Sequence, residues 1–513
     1  MVEPPKHLAR LLFALTLTLY LFTAGGSLTT TDAVATFDVT RAIVEQGSVA
    51  MSGNILGREE ERGVDGRYYA PFGLGQSIYN IPFYLAAKGL DAAGIRLGKP
   101  DSLAKALVAL GETVLVAAIV RESFLLAVAV VGNVPAAALA ALTLGFASVL
   151  WPYSRFGFNQ PLACFTLLAA SRQAFVGVRA HSTRRLVAAG VWLAAGLMTR
   201  HELALAALPI AAWIWFDGMP RVAPADRARR LVAFAPGLIV GVVSWGIYNF
   251  VRFGHPAISG QDPVTGFGSP VVPGLLGLLF SPSASVFLYS PVALAGVVGL
   301  FYLAKRDRSA ALFFASLLLL FVVFYATIGN WLSGRAYGSR YLLVLLPYVG
   351  VGWAAWLAAL GGRKRGVAFA LVAGLGLVLQ LPGVLVDYAR VSQAHGALQR
   401  PFTTEERQWR WDASPLVMNT RALGRALPEN IDYVLGRRPV PTIAAAAGDG
   451  DRSFAQQFSF SLDLWWLYLF YLGVLPVAAI PLLIATFAAI ITFLAWRVRA
   501  ELAARYTDSS AWT

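Results

Sequence analysis

Apolar runs of about 20 residues recur along this chain, each long enough to cross the hydrocarbon core of a bilayer as a helix. A backbone in lipid must satisfy its own hydrogen bonds, so such runs leave little besides helices to choose from. They fall at 8–24, 102–120, 124–151 (kinked near Asn133 and Pro135), 158–178, 186–199, 203–217, 231–251, 284–304, 310–328, 340–360, 366–386 and 464–494. The expected fold is an all-α polytopic membrane protein with about twelve transmembrane helices. Composition agrees, since 57% of the 513 residues are hydrophobic and 14% charged, outside the range of soluble globular chains. A lone Cys164 excludes an intrachain disulfide framework, and Cys or His spacings of the zinc type are absent. The opening MVEPPKHLARLLFALTLTLYLFTAGG reads as a retained first helix; a cleaved signal peptide is the alternative, but no small-residue cleavage site follows.

A net charge of +14 would point a soluble protein toward nucleic acid, but here the basic residues bunch between apolar runs and no nucleic-acid partner is expected. The segment FGLGQSIYNIPFYLAAKGL at 72–90 decides the topology. If it does not cross, Lys6/Arg10, Arg179/Arg184/Arg185, Arg227/Arg229/Arg230, Lys305/Arg306/Arg308, Arg363/Lys364/Arg365 and Arg497/Arg499 all fall on one side, the cytoplasm by the positive-inside tendency. The segment is therefore read as interfacial or re-entrant, in a multi-pass protein of the inner (plasma) membrane with both termini cytoplasmic. Residues 25–101 form a long first outer loop with interfacial helices inside a transmembrane module of 1–386. Residues 387–463 form a small extracytoplasmic lobe, polar and proline-bearing, and 464–513 hold the last transmembrane helix and a cytoplasmic tail.

Several arginines run against this charge bias: Arg67 in DGRYYAPFG, Arg155 in WPYSRFGFNQP, Arg200 in LMTRHE, and Arg335 and Arg340 in NWLSGRAYGSRY. Most sit at the outer end of a span among Trp, Tyr, Gly and Pro. A guanidinium grips phosphate with paired donors, so their convergence points to a lipid-linked phosphate at headgroup depth. Snorkelling to membrane lipids is the plain alternative for any one of them.

Two acids lie on the same outer side. In TTTDAVATFDVTRAIVEQG, Asp32 and Asp38 fall near the start and second turn of an expected amphipathic helix. A carboxylate near the positive end of a helix, or beside arginines, can accept a proton from an attacking hydroxyl. A helix cap is the alternative for Asp32 and a solvated surface acid for Asp38.

These residues and their order resemble the GT-C superfamily of membrane glycosyltransferases, which includes protein O-mannosyltransferases, the lipid A aminoarabinose transferase and arabinofuranosyltransferases. The resemblance rests on the acid after the first span, on DGRYYAPFGLGQSIYNIPFY, and on ASVLWPYSRFGFNQPLACFTLLAA, GLMTRHELALAALP, GLLFSPSASVFLYSPVALAG and WLSGRAYGSRYLLVLLP, and it covers roughly residues 1–390. It implies transfer of a sugar, hexosyl or pentosyl, from a polyprenyl-phosphate carrier to a hydroxyl of a cell-envelope glycan, lipid or protein on the outer face, with inversion. Asp32 would be the general base, Asp38 the fallback, and Arg200, Arg340, Arg155, Arg67 and Arg335 the donor-phosphate ligands. Ala33 stands where many members carry a second acid, and Gln160 where a carboxylate would be expected. No metal is therefore expected to be required, and a divalent ion has no support from the residues.

Tyr68, Tyr69, Tyr153, Trp331 and Tyr337 are candidates to stack on a sugar or line the carrier path, with interfacial anchoring as the alternative. His201 and Glu202 are candidates to bind sugar hydroxyls. The competing function is a transporter or flippase for a lipid-linked or anionic solute. Transporters place polar residues near the bilayer midplane on broken helices, often in repeated halves, whereas here they gather at the outer end.

Overall fold

A computed structural model describes residues 5–57, 61–97, 100–217, 222–260, 270–332, 334, 336–398, 401–440 and 462–506. In chain order the helices are α1 (Lys6–Thr23), α2 (Thr31–Gln46), α3 (Gly75–Ala92), α4 (Ser102–Val131), α5 (Val134–Phe146), α6 (Leu150–Tyr153), α7 (Gln160–Arg179) and α8 (Thr183–Leu197). A 3-10 turn at His201–Ala206 leads into α9 (Ala207–Phe216), then come α10 (Pro224–Phe253), α11 (Val271–Phe280), α12 (Val286–Tyr289), α13 (Pro291–Arg306) and α14 (Arg308–Ala326). A second 3-10 turn, Tyr341–Leu345, opens α15 (Leu346–Ala359), followed by α16 (Gly362–Leu385), α17 (Tyr388–Leu398), α18 (Thr404–Trp409), α19 (Pro415–Val434), α20 (Trp465–Tyr471) and α21 (Ala479–Tyr506). The described residues contain no strand, only an isolated bridge between Arg62 and Tyr68.

Seven helices among the described residues are long and apolar enough to cross a membrane: α4, α7, α10, α14, α15 with its 3-10 turn, α16 and α21. Of the remaining expected spans the first is the continuous 18-residue α1, and the others are shorter or broken for local reasons. The expected break between 120 and 124 does not occur, because Glu122 accepts hydrogen bonds from both Arg121 and Arg172 at 2.6 Å and its charge is compensated inside a continuous α4. That helix ends instead at Gly132, which caps it at φ 71°, and Asn133 then caps α5 by accepting from the Ala136 N–H. The expected run 464–494 is two helices, since Gly473 turns at φ 71° and Pro476 follows. Segment 72–90 becomes α3, which packs on α2 and α4 and leaves Ile78 and Leu85 exposed.

Ion pairs fix which helix ends meet. Arg179, in the last turn of α7, pairs with Asp217 after α9 and with Asp307 between α13 and α14. Asn159, at the opposite end of α7, meets Arg200 between α8 and α9. Twenty helical residues separate the two places by about 30 Å, so the bundle has a basic end rich in Arg and a second end where the 3-10 turns gather.

Packing between the helices relies on glycine. The carbonyl oxygens of Val349 and Gly352 in α15 lie against Gly296 and Gly299 of α13, and any Cβ at those glycines would overlap them. Close backbone approach of this kind supplies the dispersion contacts that hold helices together where lipid removes the hydrophobic drive. Gly299→Val is expected to destabilise the protein by about 1–3 kcal/mol through overpacking. Thermal unfolding in detergent measures this, and an unchanged midpoint would show that the α13 and α15 backbones can part at little cost.

Candidate functional site at the non-basic end of the bundle

The helix carrying Asp32 begins where its sequence requires. Thr30, in extended conformation, accepts a hydrogen bond from the Ala33 N–H at 3.2 Å and caps α2, and Gly47 closes the helix at φ 62°. The cap role is therefore taken by Thr30, and Asp32 in the first turn is free for other contacts.

Its partner comes from 308 residues away. Arg340 donates from Nη1 to Asp32 Oδ2 at 2.8 Å, while Oδ1 takes no hydrogen bond from the described residues. The Arg340 guanidinium lies 4.5 Å from the centre of the Phe158 ring and 5.7 Å from that of Tyr341, and its buried Nε has no hydrogen-bond partner among the described residues. Arg200 approaches the same Tyr341 ring at 5.6 Å. It donates to Glu202 Oε1 at 2.5 Å and to Asn159 Oδ1 at 3.0 Å, and Tyr325 donates to Glu202 at 3.2 Å while stacking on Tyr341 at 5.0 Å. Two guanidiniums thus share one aromatic ring and are held by a carboxylate each. Asp32 is the more open, with 28% of its side chain exposed against 14% for Arg340 and 5% for Glu202, so it is the acid an incoming molecule reaches.

The sequence singled out Asp32, Arg200, Arg340 and Glu202, and the structure brings them together. Tyr153 joins at the rear: it is buried and packs edge-on against Phe156 and beside Phe158. His201 turns its ring toward Trp245 of α10 at 5.4 Å. Asn159, Phe158, Tyr325 and Tyr341 were not singled out from the sequence. Phe158 and Asn159 stand in the motif of Arg155, and Tyr341 follows Arg340 directly, whereas Tyr325, at the end of an apolar run, carried no signal in the sequence.

Other expected residues serve elsewhere. Asp38 is buried, with Oδ2 accepting from the Ser52 N–H at 2.6 Å and Oδ1 from the Ser52 hydroxyl at 3.2 Å and from Arg41. It clamps the chain after α2 back onto that helix and is not a surface acid. Asp38→Asn is expected to lower stability by about 1–3 kcal/mol, since Arg41 loses an ionic partner and the Ser52 contacts weaken. Donor affinity should stay as in the wild type; a loss of affinity with unchanged thermal midpoint would move Asp38 into the site. Arg67 is largely exposed and pairs with Asp65 at 2.7 Å. Asp65 also accepts from the Tyr69 hydroxyl, and that bond together with those from Arg67 holds its carboxyl down to about 2. Arg67 and Tyr69 thus both serve Asp65 locally, and Tyr68 forms the isolated bridge with Arg62. Arg155 is buried against Asp463. Tyr337 donates to the Leu379 carbonyl at 2.6 Å, and Trp331 is buried against Trp409, so both pack the core. Arg335 lies outside the described residues. Among the described residues, no group of three His, Cys, Asp or Glu side chains gathers as metal ligands would.

No protein-family model matches the chain, and no curated protein matches it either. Among solved structures it is similar to that of ArnT from Cupriavidus metallidurans bound to undecaprenyl phosphate, at 15% identity and a TM-score of 0.49 over 89% of this chain and 75% of that one. The Archaeoglobus fulgidus oligosaccharyltransferase in its apo form gives 13% identity and a TM-score of 0.48, over 78% of this chain and 59% of that chain. The oligosaccharyltransferase AglB from the same organism, in complex with an inhibitory peptide and a dolichol-phosphate, gives 14% and 0.44 over 88% and 60%. This chain therefore spans less than two thirds of either oligosaccharyltransferase chain. Likeness of this degree assigns no chemistry, which has to come from the residues themselves.

Proposed function

We propose that the protein is a membrane glycosyltransferase of the GT-C type, moving a sugar from a polyprenyl-phosphate carrier to an acceptor hydroxyl at the extracytoplasmic face. The observation that carries this reading is the Asp32–Arg340 ion pair with Arg200 on the same Tyr341 ring. Two buried guanidiniums, with Nε of Arg340 unpartnered among the described residues, offer a ready site for a phosphate, and charge-assisted, paired hydrogen bonds suit them to it.

In this mechanism the donor phosphate takes Arg340 from Asp32 and frees the carboxylate. The acceptor hydroxyl then attacks the anomeric carbon from the face opposite the phosphate. Its proton passes to Asp32, the bond from the anomeric carbon to the phosphate oxygen breaks with its electron pair going to that oxygen, and the new glycosidic bond has inverted configuration. The charge gained by the departing polyprenyl phosphate is met by Arg340 and Arg200, which is where electrostatic preorganisation has the most effect. The residues in this reading require no metal. An apolar groove on α10, lined by Val242, Trp245, Gly246 and Phe250, opens beside His201, one residue from Arg200. A carrier with its phosphate at Arg200 would have that groove for its isoprenoid chain.

Comparison of envelope glycans, lipids and glycoproteins by mass spectrometry, in cells with and without the protein, tests the proposal. Loss of one defined sugar from one envelope class is the expected result, and identical profiles in both cells would contradict it.

A further inference from the structure

A buried polar cluster lies outside the residues assigned above, where the last segment of the chain meets the stretch leading into α2. Asp463 accepts from the hydroxyl of Tyr468 and pairs with Arg155, and Arg390 contacts both Tyr468 and Asp463. Asp387 and Asp463 are each nearly inaccessible, at 4% and 3% exposed. From this cluster a series of bonds reaches residues 24–30. Asp387 accepts from the Thr29 hydroxyl at 2.6 Å, Arg390 donates to the Ser27 hydroxyl at 2.9 Å, and the Trp465 N–H donates to the Ala24 carbonyl at 2.8 Å. Gly25 passes directly over the ion pair, and a Cβ there would sit 2.7 Å from both Arg155 Nη2 and Asp463 Oδ2. Gly26 follows at φ 70°.

Thr30, which caps α2, ends this anchored stretch, and Asp32 follows two residues on. We infer that Asp387, Arg390 and Asp463 are positioning residues, through which the C-terminal segment sets the pose of Asp32 toward Arg340 by holding residues 24–30. The inference rests on the reading of Asp32 as the base and gives a task to the region after α16, which the proposed chemistry leaves without one. The charges suit a fixed anchor. Burial works against ionisation of Asp463, but Arg155 and Arg390 overcome it and hold its carboxyl below the usual range. Burial and the neighbouring Asp463 push Asp387 upward, against the pull of Arg390 and Thr29. Two acids and two arginines share the pocket, so none is left as an uncompensated charge.

An anchor acting through Asp32 has consequences that a merely structural one lacks. Thr29→Val removes the hydroxyl that Asp387 accepts from, Asp387→Ala removes the acceptor, and Ser27→Ala reports through Arg390 should either of those variants fold poorly. Hydrogen exchange of full-length protein in detergent, read on the peptide covering residues 28–38, should rise about tenfold in each variant and stay at the wild-type level in Thr29→Ser. With a polyprenyl-phosphate sugar as donor, Thr29→Val should lower kcat about tenfold while donor affinity stays within about twofold, because geometry at the reacting atoms is lost and binding is kept. In an Asp32→Asn background the same change should cost no more, since effects that share one path do not add. Wild-type exchange in all three variants, or a full additional loss in the Asp32→Asn background, would overturn the inference. If the wild-type protein transfers no sugar, the assignment of Asp32 as base fails, while the exchange data still decide whether the C-terminal segment anchors α2.

Discussion

Asp32→Asn is expected to leave a folded protein that binds its donor and transfers sugar about 10²–10⁴-fold more slowly, the range a general base contributes. Fold should survive because the helix cap belongs to Thr30 and its bond to the Ala33 N–H is untouched. Asn keeps the size of the side chain and one oxygen for Arg340, so the substitution isolates proton acceptance from packing. Single-turnover assays with a lipid-linked sugar give the rate, and thermal unfolding gives the control. A slow rate accompanied by a lowered midpoint would instead mark Asp32 as a structural partner of Arg340.

Arg340→Ala and Arg200→Ala are expected to weaken donor binding about 10–100-fold each, the cost of one or two hydrogen bonds to a charged group. Their effects should differ in kind. Removing Arg340 leaves Asp32 without its partner but exposed enough to be hydrated, whereas removing Arg200 strands Glu202 beside Tyr325 in a buried place. Arg200→Ala should therefore also lower stability, and Arg200→Lys should restore charge without the two directed bonds to Glu202 and Asn159. Binding of a polyprenyl-phosphate sugar, titrated by tryptophan fluorescence or microcalorimetry, measures both. Unchanged affinity in both Ala variants would leave these arginines as structural partners of Asp32 and Glu202.

The sequence carried the helical architecture because lipid leaves few alternatives, and it carried a kink near Asn133 and Pro135, where the structure ends one helix at Gly132 and caps the next with Asn133. It did not carry the continuity of α4. Arg121 and Glu122 look like a span boundary until Arg172, fifty residues on, is seen to share the Glu122 carboxylate. Arg200 and Arg340 were legible as charges in the wrong place for topology, and Asp32 as the acid after the first span. Their pairing was not, since Asp32 finds Arg340 across 308 residues of chain. The clamp made by Asp38, read from the sequence as the fallback base with a solvated acid as the alternative, was hidden for the same reason: its partner Ser52 lies in a loop with no periodic signal. The cluster at Asp387 and Asp463 gave the weakest hint, a single acid in each of two segments, one of them beside the paired tryptophans of SLDLWW.

The most direct measurement is turnover by purified protein in proteoliposomes supplied with a polyprenyl-phosphate sugar and an envelope acceptor. One polyprenyl phosphate should be released for each glycoside formed, with inverted anomeric configuration, and release should fall to near background in Asp32→Asn. Release at the wild-type rate from Asp32→Asn, or a product of retained configuration, would contradict the assignment of Asp32 as the base.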